Sequence, residues 1–142
     1  MIRNDFSQAV TRAGERKSHW LQRESSVPVA YERFKTYLTD FTCPRLLCVG
    51  CAQGHEVREF TILGVDAEGV ELNPRYVKAG RMLFPDIRIT SGNAERLHYP
   101  VDSFDLVYCR NVIFSTDPKR SLPELQRVLR PGGIGHVTLD KK

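Results

Sequence analysis

The chain has no apolar run that approaches the length of a membrane span. Its first twenty residues, MIRNDFSQAVTRAGERKSHW, lack the apolar core of a secretion signal. Both absences set a cytoplasmic protein with no membrane partner as the expectation. An excess of charge of one sign is lacking as well. The formal charge is +4, and the basic residues, Arg more often than Lys, are scattered with no run of nucleic-acid type. Such mild basicity helps an acidic substrate approach but does not identify one. Cysteine occurs at 43, 48, 51 and 109, and Cys48-x-x-Cys51 has no second pair to complete a zinc set. Reduced thiols and no metal are expected. No internal repeat is present. The length of 142 residues gives one domain, and 41% hydrophobic with 27% charged residues place it among ordinary soluble globular chains.

What is present is concentrated between Leu46 and Asn73, LLCVGCAQGHEVREFTILGVDAEGVELN. Leu46-Leu47-Cys48-Val49 reads as a buried strand. Gly50-Cys51-Ala52-Gln53-Gly54 is a turn of small residues. A short helical pattern follows, starting near His55 with Val57 and Phe60 on one face, and then a second strand, Gly69-Val70-Glu71-Leu72, ending on a carboxylate. A turn that lets a ligand touch backbone N–H groups cannot carry bulky side chains. The helix behind it aims its positive end at the same place. A carboxylate at the tip of the next strand can accept both hydroxyls of a ribose. Strand, small-residue turn, helix and acid-tipped strand are the first half of a nucleotide-binding α/β unit.

Upstream, residues 1–26 form a polar, weakly patterned arm that carries Phe6, Val10 and Trp20, with partial packing expected. Ser26 reads as an N-cap with Pro28 in the first turn, for an amphipathic helix over 27–41 carrying Ala30, Phe34, Leu38 and Phe41. Downstream, Asn73 caps a helix that has Pro74 at its first position and runs to about Leu83, with Val77, Gly80 and Phe84 facing in. Residues 86–90 alternate as a third strand, 91–94 turn, 95–103 form a loop and 104–109 a fourth strand. Ser121 and Glu124 form a capping box for a helix through Leu129. Pro131-Gly132-Gly133 ends it, and 134–139 is a fifth strand. Strands alternating with helices predict a mostly parallel, doubly wound α/β sheet of about five strands, Rossmann-like, over 27–142. A dinucleotide-dependent oxidoreductase fits poorly, because in Gly-x-Gly-x-x-Gly counted from Gly50 the third glycine falls on His55 and no second mononucleotide half is present.

The chain from Leu46 to Leu139 resembles the class I S-adenosylmethionine-dependent methyltransferases, and most of all the small type 11 methyltransferase domain. Val49-Gly50-Cys51-Ala52-Gln53-Gly54 matches the glycine loop under the methionine moiety. Gly69-Val70-Glu71-Leu72-Asn73-Pro74 matches the segment whose acid holds the ribose. Gly92-Asn93-Ala94-Glu95 matches the segment that frames the adenine. Ser103-Phe104-Asp105-Leu106-Val107 and Leu125-Gln126-Arg127-Val128-Leu129-Arg130-Pro131-Gly132-Gly133 match the fourth strand and the corner beyond it. The resemblance implies S-adenosyl-L-methionine as cofactor, held by Gly50, Cys51, Ala52, Gly54, Glu71, Leu72, Asn93, Ala94 and Cys109. Arg110 and Asn111 follow the fourth strand at its carboxyl end, where the pocket is expected, and are the candidates for touching cofactor or substrate. It implies methyl transfer to a small-molecule acceptor by in-line displacement at the sulfonium methyl, a reaction that positioning and exclusion of water can carry. No catalytic residue is assigned: His55 reads as a helix-start residue, His98 as solvated and His136 as structural. The Asn-Pro-Pro-aromatic signature of amino-group DNA methyltransferases is replaced by Cys109-Arg110-Asn111-Val112, which argues against nucleic-acid bases.

The departures from the family pattern are Cys48 for an acid, Ala52 for a glycine, Asn93 for an aspartate and Phe114 for a histidine. Ala52 is compatible with the loop if its backbone stays at negative φ. Asn93 keeps an acceptor and adds a donor. The family's sheet continues past the point where this chain reaches Asp140-Lys141-Lys142, so a short or C-terminally truncated member is expected. Its fifth strand would then be a bare edge through which a homodimer could form. The alternative to an enzyme is a degenerate methyltransferase-like binding or partner module without catalysis.

Overall fold

Strands β2 (Arg45–Val49) and β5 (Phe104–Arg110) are apolar on both faces, and that places them in the middle of the sheet. The structure, a computed structural model, describes residues 2–4, 26–110 and 112–138. Phe6, Val10, Trp20, Asn111 and residues 139–142 lie outside that set. With β1 (Ile2–Asn4), β3 (Asp66–Glu71), β4 (Arg88–Ser91) and β6 (Leu129–Thr138), the strands form one sheet in the order β1-β6-β5-β2-β3-β4. Every ladder in it is parallel. The sheet is doubly wound and Rossmann-like, as its alternation of strands and helices predicts.

Alternation along β2 divides the core in two. Leu46 and Cys48 face helices α1 (Val27–Tyr37), α2 (His55–Ile62) and α3 (Pro74–Leu83), whose Phe34, Phe60 and Val77 join them, with Tyr108, in one cluster. Leu47 and Val49 face α4 (Pro118–Val128), whose Leu125 and Val128 meet them beside Val107 and Cys109. Among the described residues no helix is long and apolar enough to cross a membrane.

Several local expectations change. Helix α1 stops at Tyr37, four residues early, because Leu38 is already extended at φ −99° and ψ 122°. Ser26 precedes that helix but makes no cap bond. It is buried, and its hydroxyl bonds to the Tyr108 hydroxyl. Asn73 does cap α3, its Oδ1 accepting from Arg75 N at 3.0 Å. Helix α4 begins at Pro118 and not at Ser121: Asp117 caps it, accepting from Lys119 N at 3.1 Å. Ser121 is buried against Thr116, and Glu124 accepts from Leu97 N, so neither residue forms a capping box. The bare edge expected on the last strand is also corrected. Gly135–Val137 of β6 pair with Ile2–Asn4, so the backbone groups there have partners and the proposed dimer edge is taken. Those three residues, read as part of a polar arm, are a strand of the sheet.

Helix α3 packs directly on the turn after β2. A Cβ at Gly80 would lie 2.5 Å from the backbone oxygen of Gln53, so only glycine fits that crossing. Gly80→Ala is expected to destabilise the fold by about 1–3 kcal/mol through overpacking, read as a lower urea midpoint with unchanged slope.

The cysteines are free, and only Cys43 is exposed. Burial pushes the Cys51 and Cys109 thiols up to about 12 and raises that of Cys48 well above its ordinary 9.0. One thiol per chain is therefore expected to react rapidly with a disulfide reagent in native conditions, and the other three only on unfolding. Because the folded values are raised, the unfolded chain loses these protons first. Stability should be fully present below pH 9 and fall as pH climbs towards 12, seen as a declining urea midpoint above pH 9.

Candidate active site

The site begins where β2 ends. Gly50 turns the chain at φ +70°, and a Cβ there would lie 1.9 Å from Cγ2 of Val112, so the turn and the neighbour both require glycine. The amides of Gly50 and Cys51 donate to Val70 O at 2.8 and 3.2 Å, which ties the loop to the end of β3. Ala52 has φ +50°, not the negative φ on which an alanine there was acceptable. Its amide points at Glu71 and donates to Oε1 at 2.9 Å, and that bond holds the residue in the left-handed region. The other oxygen, Oε2, accepts from Asn73 N at 2.8 Å. One carboxylate thus joins the glycine loop, the tip of β3 and the start of α3.

Two further segments complete the rim. After β4, Gly92 N donates to Glu71 O at 3.0 Å, and Asn93 Oδ1 accepts from Glu95 N at 2.9 Å, forming a turn that leaves Ala94 buried. After β5, residues Ile113–Ser115 form a 3-10 turn, with the Thr116 hydroxyl donating to Ile113 O at 2.9 Å. These segments enclose a cavity of about 330 Å³ lined by Val49, Gly50, Val70, Glu71, Leu72, Tyr76, Gly92, Asn93, Ala94, Val112, Ser115 and Thr116. Among the described residues, Glu71 is the one carboxylate in that lining, and no lysine, arginine or histidine is in it. Leu72 and Tyr76 are exposed and give the mouth an apolar lip.

Of the residues singled out in the sequence, Gly50, Glu71, Leu72, Asn93 and Ala94 line the cavity together. The other five do not. Ala52 is exposed and reaches the site through its amide. Gly54 starts α2 at φ +91° and packs on Ile87 and Ile89. Cys51 turns its sulfur inward against Gly69, and Cys109 is enclosed under α4. Arg110 points to the other face, with Nη1 3.5 Å from Glu56 Oε2. Sequence reading missed Tyr76, Val112, Ser115 and Thr116. Tyr76 sits in the first turn after the Asn73-Pro74 cap. The other three follow the carboxyl end of a central strand, which is the available signal for them.

A second polar group lies on the α1 and α2 face. Tyr108, buried in β5, donates from its hydroxyl to Glu56 Oε2 at 2.5 Å, and its ring stacks on His136 at 5.7 Å. Burial first, and then the Glu56 carboxylate, raise that phenol well above its ordinary value. Of the other histidines, His55 packs edge-on against Phe84 at 5.0 Å and His98 is exposed. Among the described residues no three His, Cys, Asp or Glu side chains gather as a metal site would need.

Known proteins share this sequence pattern and fold. Residues 47–137 match the family model described as a methyltransferase domain. A demethylmenaquinone methyltransferase of Renibacterium salmoninarum is 32% identical over 93 residues, covering 63% of this chain and 38% of that protein. The chloroplastic 2-methyl-6-phytyl-1,4-hydroquinone methyltransferase 1 of rice is 36% identical over 85 residues, covering 53% of this chain and 26% of that one. This chain thus spans well under half the length of either relative. The solved S-adenosylmethionine-dependent methyltransferase of Mesorhizobium loti superposes with a TM-score of 0.61 at 26% identity, over 72% of this chain and 50% of that one. A match running from the middle of β2 into β6 takes in the glycine loop, the Glu71 tip and the Asn93 turn, and the chain belongs to the methyltransferase domain family.

Proposed function

We propose that the cavity binds the nucleoside of S-adenosyl-L-methionine and that the protein transfers a methyl group to a small-molecule acceptor. The observation that carries this reading is the placement of Glu71. Its carboxylate is fixed by two backbone amides yet still faces the cavity, and each oxygen keeps a lone pair for a ribose hydroxyl. Asn93 offers a side-chain amide donor beside it, and Val70, Leu72 and Ala94 supply apolar walls for a planar base. The residues present fit the group.

When bound, the cofactor supplies an electrophilic methyl on a sulfonium. The chain's own part is to hold the ribose, frame the base and keep water from the reacting atoms. Among the described lining residues Glu71 is the one carboxylate and there is no histidine, and Glu71 is committed to the loop. That favours an acceptor that is already nucleophilic or readily deprotonated. Two relatives are named for methylating demethylmenaquinone and a phytyl hydroquinone, which supports a hydroquinone-type ring as the acceptor class. The scattered charge supports a small molecule over nucleic acid, and free thiols are in keeping with a cytoplasmic setting. A binding module without catalysis has one observation on its side: the Val112 methyl rests on Gly50, where the loop would meet a ligand.

Calorimetric titration with S-adenosylhomocysteine separates the two readings. Micromolar binding is expected, and Glu71→Ala should weaken it by about 1–3 kcal/mol through loss of charged hydrogen bonds. No binding at millimolar ligand would favour the module, and an unchanged dissociation constant in the variant would remove Glu71 from the site. Ala52→Gly should relieve the left-handed strain and raise stability by about 0.5–1 kcal/mol, measured by urea unfolding, with no loss of ligand affinity.

A further inference from the structure

Apolar side chains that stand singly on a surface need no explanation, but a cluster of them does. Of the eight large apolar side chains that are exposed among the described residues, four fall in the stretch from Leu72 to Leu83. Leu72 is 67% exposed, Tyr76 44%, Met82 75% and Leu83 54%. The last three belong to α3, and a helix turns by about 100° per residue. Tyr76, Ala79 and Leu83 therefore share an arc of about 60°, next to the buried Val77 and Gly80. Arg75, Lys78 and Met82 share a second arc of about 60°, opposite the buried side.

The cations of this helix divide in two. Arg81 serves the fold, its Nε and Nη2 donating to Ile89 O at 3.1 and 2.8 Å. Arg75 and Lys78 are exposed, and among the described residues neither forms an ion pair. Helix α3 carries no carboxylate of its own. Its outer face thus sets Met82 beside two unpaired cations. Long basic side chains lay their stems along apolar surface and keep the charge at its edge. Exposed apolar groups bordered by cations on one helix suit an interface whose interior is apolar and whose surface is anionic. No spanning length is required of a helix that lies flat in such an interface. A second copy of the chain fits less well, because a two-fold contact through α3 brings a row of cations against the same row.

We propose that the outer face of α3, with Leu72 at its head, docks on the surface of an anionic lipid bilayer. Tyr76, Met82 and Leu83 enter the headgroup boundary, and Arg75 and Lys78 meet lipid phosphates. Leu72 and Tyr76 also line the cavity, so docking sets the cavity mouth against the bilayer. A lipophilic acceptor held in the bilayer then reaches the mouth without crossing water. That consequence rests on the hydroquinone-type acceptor proposed above, whereas the docking itself does not.

The test is cosedimentation of the full chain with vesicles of phosphatidylcholine containing phosphatidylglycerol, and with vesicles of phosphatidylcholine alone. The chain should bind the anionic vesicles, with affinity at least about tenfold lower for the neutral ones and falling as salt is raised. Arg75→Glu together with Lys78→Glu should weaken binding by about tenfold or more, and Met82→Glu, at an exposed position, should weaken it severalfold. Lys119→Glu together with Arg120→Glu makes the same change of charge on α4, across the sheet, and should leave binding unaltered. No binding to anionic vesicles, equal binding to both kinds, equal weakening by the α3 and α4 pairs, or full binding by Met82→Glu overturns the docking. So does a dimer in sedimentation velocity that Met82→Glu makes monomeric, since a second copy then covers the stripe. Titration with S-adenosylhomocysteine reads separately: its failure removes the cofactor reading and leaves vesicle binding to decide the docking.

Discussion

The carboxylate of Glu71 is the constraint on which the site depends. Its two oxygens accept from Ala52 N and Asn73 N, which belong to different turns. Without those bonds the glycine loop would still have its ties to Val70 O and the first turn of α3 its Asn73 side-chain cap, but nothing would join the loop to the start of that helix through a charged acceptor. Hydrogen bonds to a charged acceptor are stronger than neutral ones, so a single residue can hold Ala52 at φ +50° against its intrinsic preference. The loop is therefore preorganised, and the group that organises it is also the one turned to the cavity.

The sheet explains why that carboxylate is where it is. Connections leave β2 towards β3 and β4 on one side, whereas β5 and β6 extend the sheet on the other. The order reverses between β2 and β5, and in open α/β sheets the crevice forms outside the carboxyl ends at such a point. The two halves of the crevice differ in chemistry. On the β3 and β4 side, one carboxylate sits among apolar walls. On the β5 and β6 side, Glu56, Tyr108, Arg110 and His136 make a dense polar group under α1 and α2.

Much of this was legible in the sequence, and the misses share a physical cause. The order of elements and the buried cores of β2 and β5 follow from apolar runs, which are local. Asn73-Pro74 was read correctly because an Asx residue before proline leaves few alternatives. Asp117-Pro118 carries the same signal but was eclipsed by Ser121 and Glu124, whose spacing imitates a cap. Ser121 faces Thr116, and Glu124 reaches for Leu97, a partner 27 residues upstream that no local pattern reveals. Ser26 misled in the same way, its hydroxyl bound to Tyr108 82 positions away. The sign of φ at Ala52 depends on Glu71, and the fit of Gly50 on Val112. Composition could not reveal that Ile2–Asn4 pair with β6, since three residues carry no periodicity.

Helix α4 shows how far the wall of the site reaches into the rest of the fold. Residues 95–103 contain no helix or strand of their own and still must hold Asn93 and Ala94 against the cavity. Arg127 donates to Leu97 O at 2.9 Å and to Tyr99 O at 2.7 Å, and its own carbonyl accepts from Asp102 N at 3.0 Å. Glu124 accepts from Leu97 N at 2.7 Å and pairs with Arg127 at 2.6 Å. An ion pair of this exposure contributes little as a pair. Its value is geometric, because a guanidinium fans several donors from one plane and can satisfy two loop carbonyls and a carboxylate at once. A lysine, with a single ammonium on a flexible stem, could not span the same three acceptors. The loop beside the Asn93 and Ala94 wall of the cavity is thus set by two side chains of a helix on the α4 face of the sheet, and Leu125 and Val128, buried between them and the strands, fix where those side chains start.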